Sequence, residues 1–268
     1  MSNIKEDLSK TIKYYCKVLS IPLVAEIYER EAEEAARTKI SYQQYLYNLL
    51  KYQVNSRLDN SVQRRIKKAK FPFIKTIEEY DFSFQPKVDE RLIKVLGELN
   101  FLDEGKNIIF VGPLGVGKTH LAVGIGVKAA MARKRVLFFI AEELIQNLIS
   151  EEYSGRVAQY IESLSRIDLL IIDELGYLEI NKKAAALFFK LISKRYEKTS
   201  TIITTNKPFE EWAEIFADEV IASAILDRLL HHCYPFFITG KSYRMKELFE
   251  KKEKERSKND KIGVGQNS

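Results

Sequence analysis

Two hydrophobic patterns divide the chain. Over residues 4–70, apolar positions such as Leu46, Leu49 and Leu50 recur at helical spacing with acids and bases between them, and the stretch holds no glycine and only Pro22. This predicts a small all-helical N-terminal domain over residues 1–70. Ser20-Ile21-Pro22 reads as a cap followed by proline in a first turn, where the missing N–H costs nothing. Phe71-Pro72-Phe73 then breaks the pattern, and TIEEYDFSFQP (76–86) reads as part of a linker over 71–87 with aromatic anchors.

From Val88 onward, short apolar β-branched runs alternate with helical stretches. The expected order is a helix through Leu99, strand Asn107–Val111, a helix, strand Val136–Ile140, helices to about Leu164, a strand in LLIIDE ending at Asp173 and Glu174, a helix through Lys194, strand Thr201–Thr205 and strand Pro235–Thr239. Such alternation predicts an α/β domain over 88–249, a parallel sheet flanked by helices on both sides. The polar stretch 250–268 lacks apolar periodicity after Phe249 and reads as a flexible tail.

The turn after the first strand carries the chemistry. Gly112-Pro113-Leu114-Gly115-Val116-Gly117-Lys118-Thr119 has the P-loop spacing, between a strand and a helix. In that motif backbone N–H groups wrap the phosphates, the lysine reaches the β and γ oxygens, and the hydroxyl meets Mg²⁺. Gly112, Pro113, Gly115, Val116, Gly117, Lys118, Thr119 and His120 are therefore the candidate phosphate-binding residues, with ATP and Mg²⁺ as cofactors. The run LLIIDE suits a strand buried on both faces, and its acids fall at the carboxyl end, where open α/β sheets bind ligands. Asp173 would complete the Mg²⁺ shell with Thr119, and Glu174 would polarise water.

Charge adds a second candidate surface. Residues 1–75 hold 15 Lys or Arg against 8 acids, so the net charge of +6 arises there. Arg57, Arg64, Arg65, Lys67, Lys68 and Lys70 lie in a segment, 56–75, with seven bases and one acid, suited to sequence-independent contact with DNA phosphates. The two cysteines, Cys16 and Cys233, make neither a disulfide framework nor a four-ligand zinc site. His231, His232 and Cys233 are adjacent, a poor chelating geometry, and read as packing residues. No apolar run approaches the roughly 20 residues of a membrane span, and MSNIKEDLSK lacks a signal-peptide core, so a cytoplasmic location without membrane contact is expected.

Taken in order, GPLGVGKTHLA, IIDELGYL, TTN, LDRLLHH and GKSYRMKE, after the helical segment and EEYDFSFQP, resemble the IstB-type ATP-binding proteins, transposition helpers of bacterial insertion sequences. The resemblance covers nearly the whole chain and implies a P-loop AAA+ domain without a C-terminal lid, since only 24 residues follow Arg244. It implies that Asn206 occupies a γ-phosphate sensor position and that Arg228 resembles an arginine finger inserted into a neighbouring subunit, so that hydrolysis needs a homo-oligomer. Arg244 is a candidate for a second phosphate contact or for the DNA backbone. The implied function is ATP-dependent assembly on double-stranded DNA, largely independent of sequence, with recruitment of a cognate transposase. The related helicase loaders share the core, so loading of a hexameric helicase on single-stranded DNA is the alternative. A nucleotide-gated scaffold without hydrolysis is disfavoured by the presence of both Asp173 and Glu174. Phe82 and Phe84 are read as hydrophobic anchors rather than as walls of an adenine pocket.

Overall fold

The computed structural model describes residues 2–177, 180–243 and 245, in two compact units, residues 1–64 and 65–268. Arg244 and the tail 250–268 lie outside the described residues.

The first unit is helical, as its periodicity predicts: α1 (Ser2–Val18), α2 (Pro22–Thr38) and the greater part of α3 (Tyr42–Ala69). Cys16, Val24 and Leu49 form its core, with Ile12, Tyr28 and Tyr45 against them. Pro22 does open α2, but Ser20 is not its cap. Ser20 takes a left-handed φ of 55° in the turn that closes α1, and Ile21 occupies the cap position without a side-chain bond. Buried Gln53 supplies what is missing, its Oε1 accepting from Leu23 N–H at 3.0 Å in the first turn of α2.

The second unit contains a five-stranded, all-parallel sheet, β1 (Asn107–Val111), β2 (Val136–Ile140), β3 (Leu169–Leu175), β4 (Ser200–Thr205) and β5 (Cys233–Phe237), in the order β2-β3-β4-β1-β5. Alternate residues of the central strands enter different cores, as a sheet covered on both faces requires. Ile108, Phe110, Ile171 and Ile202 pack into one core with α4 (Glu90–Leu96), α5 (Asn100–Asp103) and α6 (Lys118–Met131). Ile109, Ile172 and Ile203 pack into the other with α7 (Ala141–Tyr153), α8 (Val157–Ser165), α9 (Lys182–Arg195), α10 (Trp212–Phe216) and α11 (Glu219–Leu230). The last strand begins two residues earlier than expected. Asn107 N–H bonds the His232 carbonyl at 2.8 Å, which starts the β1–β5 ladder before Pro235, and an edge strand tolerates that proline.

The segment expected as a linker packs into this unit. Ile77, Tyr80 and Val88 are buried in the same core as β1 and α6, at 1%, 7% and 6% exposure. Its aromatic side chains find apolar partners beside the glycine-rich loop, so the segment becomes part of the second unit. Phe82 packs on Tyr80 and Phe84 on Tyr243, at ring distances of 4.8 and 5.4 Å.

Candidate functional site

A cavity of about 260 Å³ lies at the carboxyl ends of the strands. Its floor is the P-loop from Leu114 to His120, one wall is Glu174, Tyr177 and Thr204, and the other includes Lys75, Tyr80 and Gln85 from the 71–87 segment. Gly117 has a left-handed φ of 93°, and a Cβ there would meet Tyr80 Cε2 at 2.5 Å, so both the turn and its packing demand glycine. The Tyr80 hydroxyl donates to the Val116 carbonyl at 2.9 Å, and burial pushes its pKa up to about 12. Tyr80 thus braces the loop from below.

Lys118 begins α6 and is buried; its Nζ donates to the Gly112 and Pro113 carbonyls at 2.7 and 2.8 Å. The first turn of α6 contains no acid, leaving its N–H groups and partial positive charge free of anionic competition. Thr119 Oγ1 lies 3.0 and 3.1 Å from the two carboxylate oxygens of Asp173. Asp173 is buried, and desolvation raises its pKa above the ordinary value. His120 Nε2 lies 2.8 Å from the Thr76 carbonyl, an acceptor only, so this nitrogen carries the hydrogen. Burial lowers the His120 pKa, which keeps the ring neutral, packed edge-on to Tyr80.

Between β3 and β4 the pairing shifts: Ile172 faces Ile203 and Leu175 faces Thr205, leaving Asp173 and Glu174 opposite Thr204 alone. This bulge places Glu174 at φ 62°, exposed on the cavity wall while Asp173 stays buried. Thr204 Oγ1 donates to Asp173 Oδ1 at 2.5 Å and accepts from Glu174 N–H at 3.0 Å.

Asn206 follows β4, which does pair with the Asp173 strand, but it is not part of the cavity lining. Its Oδ1 is buried without a hydrogen-bond partner. Arg228 lies inside the last turn of α11, not beyond the helix. It donates to the Ala224 carbonyl at 3.0 Å and its guanidinium lies 4.6 Å from the Phe189 ring centroid; among the described residues it pairs with no carboxylate. The neighbouring Leu229 carbonyl accepts from Asn107 Nδ2 at 3.1 Å, at the start of β1, whereas the P-loop follows its end. Five residues at roughly 3.3 Å each separate the two ends, farther than this side chain can reach.

Of the basic candidates, Arg57 donates to the Ser20 carbonyl at 2.5 Å and Arg64 to the Asn60 carbonyl at 3.2 Å, both in the first unit. In the second unit Lys67, Lys68 and Lys70 are exposed, Lys70 lies 6.0 Å from the Phe139 ring centroid, and Arg65 Nε is buried without a partner. Arg244 lies outside the described residues. Sequence reasoning missed Tyr80, Thr204, Gln85 and Tyr243. Gln85 Nε2 donates to the Lys241 carbonyl at 2.8 Å and Tyr243 N–H bonds the Gly115 carbonyl at 2.8 Å, so the segment after β5 is stitched to the P-loop. The signals available were the aromatic residues of EEYDFSFQP for Tyr80 and Gln85, and the TTN and GKSYRMKE motifs for Thr204 and Tyr243.

A glycine-rich loop at a helix N-terminus, a lysine folded onto its carbonyls, and a hydroxyl–carboxylate pair at the end of β3, two strands from β1 in the parallel sheet, define a P-loop nucleotide-binding protein. Residues 15–251 match the IstB-like ATP-binding protein family, and the chain belongs to it. It is similar to the IS21 ATP-binding protein of Pseudomonas aeruginosa, at 45% identity over 80% of this chain and 81% of that protein. The IS5376 ATP-binding protein of Geobacillus stearothermophilus is 41% identical, covering 92% of this chain and all of the relative (100%). Among solved structures, the DnaC helicase loader superposes with a TM-score of 0.50 at 24% identity, covering 61% of this chain and 96% of that one. AMPPCP-bound DnaA from Aquifex aeolicus gives 0.53 at 19%, covering 67% and 54%, and both likenesses concern the fold. The chain is an ATP-binding AAA+ protein of the insertion-sequence type. Among the described residues, no helix is long and apolar enough to cross a membrane.

Proposed function

We propose that this protein is the ATPase helper of insertion-sequence transposition, assembling on double-stranded DNA as a homo-oligomer and recruiting its transposase. The observation that carries the ATPase reading is the paired Thr119 hydroxyl and Asp173 carboxylate at 3.0 Å, beside an exposed Glu174. This is a hard-oxygen donor set, and a buried carboxylate with a raised pKa is one that a cation would keep charged, so the residues fit Mg²⁺. When bound, Mg²⁺ supplies charge neutralisation at the β- and γ-phosphate oxygens.

In this reading Lys118 and the N–H groups of Gly115 to Thr119 bind the phosphates. Glu174 orients water, accepting its proton as the oxygen attacks the γ-phosphorus and the bond to the β–γ bridging oxygen breaks, releasing ADP and phosphate. Asn206 orients the attacking water or senses the γ-phosphate, its buried Oδ1 offering an unused acceptor to a water proton. Arg228 of the partner subunit stabilises the transition-state charge, a reading supported by its position at the far end of β1 from its own P-loop. Gly112, Pro113, Val116 and His120 shape the loop, and Arg244 contacts phosphate of nucleotide or DNA. Arg57, Arg64, Arg65, Lys67, Lys68 and Lys70 contribute to contact with the DNA backbone. Residues 1–70 serve DNA binding and assembly, and the protein acts in the cytoplasm.

The test is binding of unrelated duplex and single-stranded DNAs with ATP, ADP or no nucleotide, for wild type and Lys118→Ala, with phosphate release followed in parallel. ATP-dependent, sequence-tolerant duplex binding that the variant loses is the expected result. A preference for single strands would overturn it in favour of helicase loading.

A further inference from the structure

The turn after α9 and the junction between α11 and β5 bring together Tyr196, Glu197, His231 and His232, at the opposite end of the sheet from the P-loop. Glu197 occupies this turn with a left-handed φ of 57°, and His231 caps α11, its N–H bonded to the Asp227 carbonyl at 3.1 Å. One carboxylate oxygen of Glu197 lies 3.7 Å from His231 Nδ1 and 3.3 Å from His232 Nε2. One donor atom from each of the three residues lies within 4.8 Å of the others.

Those separations carry the argument. Donors held about 2.1 Å from a tetrahedral zinc ion lie roughly 3.4 Å from one another. Both carboxylate–imidazole separations already fall near that value, and side-chain rotation closes the third. We infer that Glu197, His231 and His232 bind a divalent cation of the zinc class, with water completing the shell. Two imidazoles and a carboxylate form a borderline donor set that favours zinc-like ions over Mg²⁺ or Ca²⁺. The side chains are about half exposed, at 51%, 54% and 42%, so an ion reaches them from solvent. The adjacency of the two histidines is no obstacle, because they present different ring nitrogens to one carboxylate supplied from 34 residues upstream.

Tyr196 sets the affinity. Its hydroxyl lies 2.6 Å from His231 Nδ1 and competes with an ion for that nitrogen. An ion here ties the α9–β4 turn to the end of α11, and the last turn of α11 carries Arg228. Occupancy therefore stiffens the element that bears the proposed finger, independently of whether the finger reading holds.

The test is calorimetric titration of zinc chloride into the whole chain in excess MgADP, which occupies the nucleotide site, with Asp173→Asn as the control for zinc binding there. One saturable equivalent is expected, weakened at least tenfold by His232→Asn or Glu197→Gln and tightened by Tyr196→Phe. Cobalt(II) alone, added to wild type, should give the absorption of a tetrahedral nitrogen–oxygen site, a readout that needs no variant to fold. Cys233→Ser should change neither result, because that thiol packs against the hydrophobic core and is not among the grouped donors. Absence of saturable zinc binding, binding that survives both ligand substitutions, or a thiolate-to-cobalt charge-transfer band would each overturn the site.

Discussion

Thr204 donates a hydrogen bond of 2.5 Å to the carboxylate of Asp173 across two adjacent strands. The same hydroxyl oxygen accepts from Glu174 N–H at 3.0 Å, on the residue that the bulge turns outward. One side chain thus fixes the buried acid proposed for the cation and the exposed acid proposed for water. Its only proton is committed to Asp173 and one of its two lone pairs to Glu174, so a single hydroxyl couples the two acids.

Thr204→Val keeps the shape and removes both bonds. A hydrogen bond to a charged group contributes about 1.5–3 kcal/mol, and its loss here falls on the geometry of hydrolysis more than on nucleotide binding. The expected result is a fall of about 10- to 100-fold in kcat for phosphate release, with ATP affinity changed far less. Equal losses in binding and turnover would show that Thr204 acts only by holding the fold.

Asp173 gives a prediction about pH. Its folded pKa is raised, first by desolvation, so the native state holds this proton more tightly than the unfolded chain. The contribution to stability is present below the unfolded value of 3.8 and is lost as pH rises through the folded one. At neutral pH the buried charge is therefore a cost. Asp173→Asn should raise Tm by a few degrees without cation or nucleotide, about 2–4 °C per kcal/mol for a chain of this size. Adding MgATP should then stabilise wild type more than the variant, which keeps Lys118 and the P-loop N–H groups but lacks the carboxylate proposed for the cation. A lower Tm for Asp173→Asn in the absence of ligand would contradict this sign.

Tyr80→Phe isolates the brace beneath the P-loop. The ring that fills the space beside Gly117 is retained, while the buried Val116 carbonyl loses its donor. An unsatisfied buried acceptor costs about 1–3 kcal/mol, and the destabilised element is the loop itself. Thermal melts should show a loss of that order, and titration with ATP should show weaker binding. Undiminished affinity together with a lower Tm would place the role of Tyr80 in packing alone.

How far the sequence was legible follows from these residues. LLIID and NIIFV are short, largely apolar and rich in β-branched residues, and the second feeds a glycine-rich turn, so the central sheet and the P-loop after β1 could be read directly. Thr204 could not, because in STIITT it is one β-branched residue among several, and its meaning comes from a bulge 30 residues upstream. Tyr80 and Gln85 sit in a segment whose Asp, Ser and Pro signal turns, and only tertiary contact with Val116 and Lys241 shows that the turns are packed. Glu197 is likewise silent in sequence, since nothing in RYEK announces the two histidines 34 and 35 residues later.

Arg228 is the residue whose proposed role is most exposed to test. If it acts on the neighbouring subunit, each active interface takes its P-loop and Glu174 from one chain and Arg228 from the other, a head-to-tail arrangement. Arg228→Ala should bind ATP with wild-type affinity and lose about 10³-fold or more in hydrolysis. Glu174→Gln should also bind and fail to hydrolyse. Neither variant is active alone, but in an equal mixture roughly a quarter of head-to-tail interfaces would join an intact Glu174 to an intact Arg228. Phosphate release from the mixture should therefore recover to a comparable fraction of the wild-type rate, and only at concentrations where the protein assembles. A finger acting within its own chain yields no recovery at any ratio, because every subunit would then lack one of its two groups.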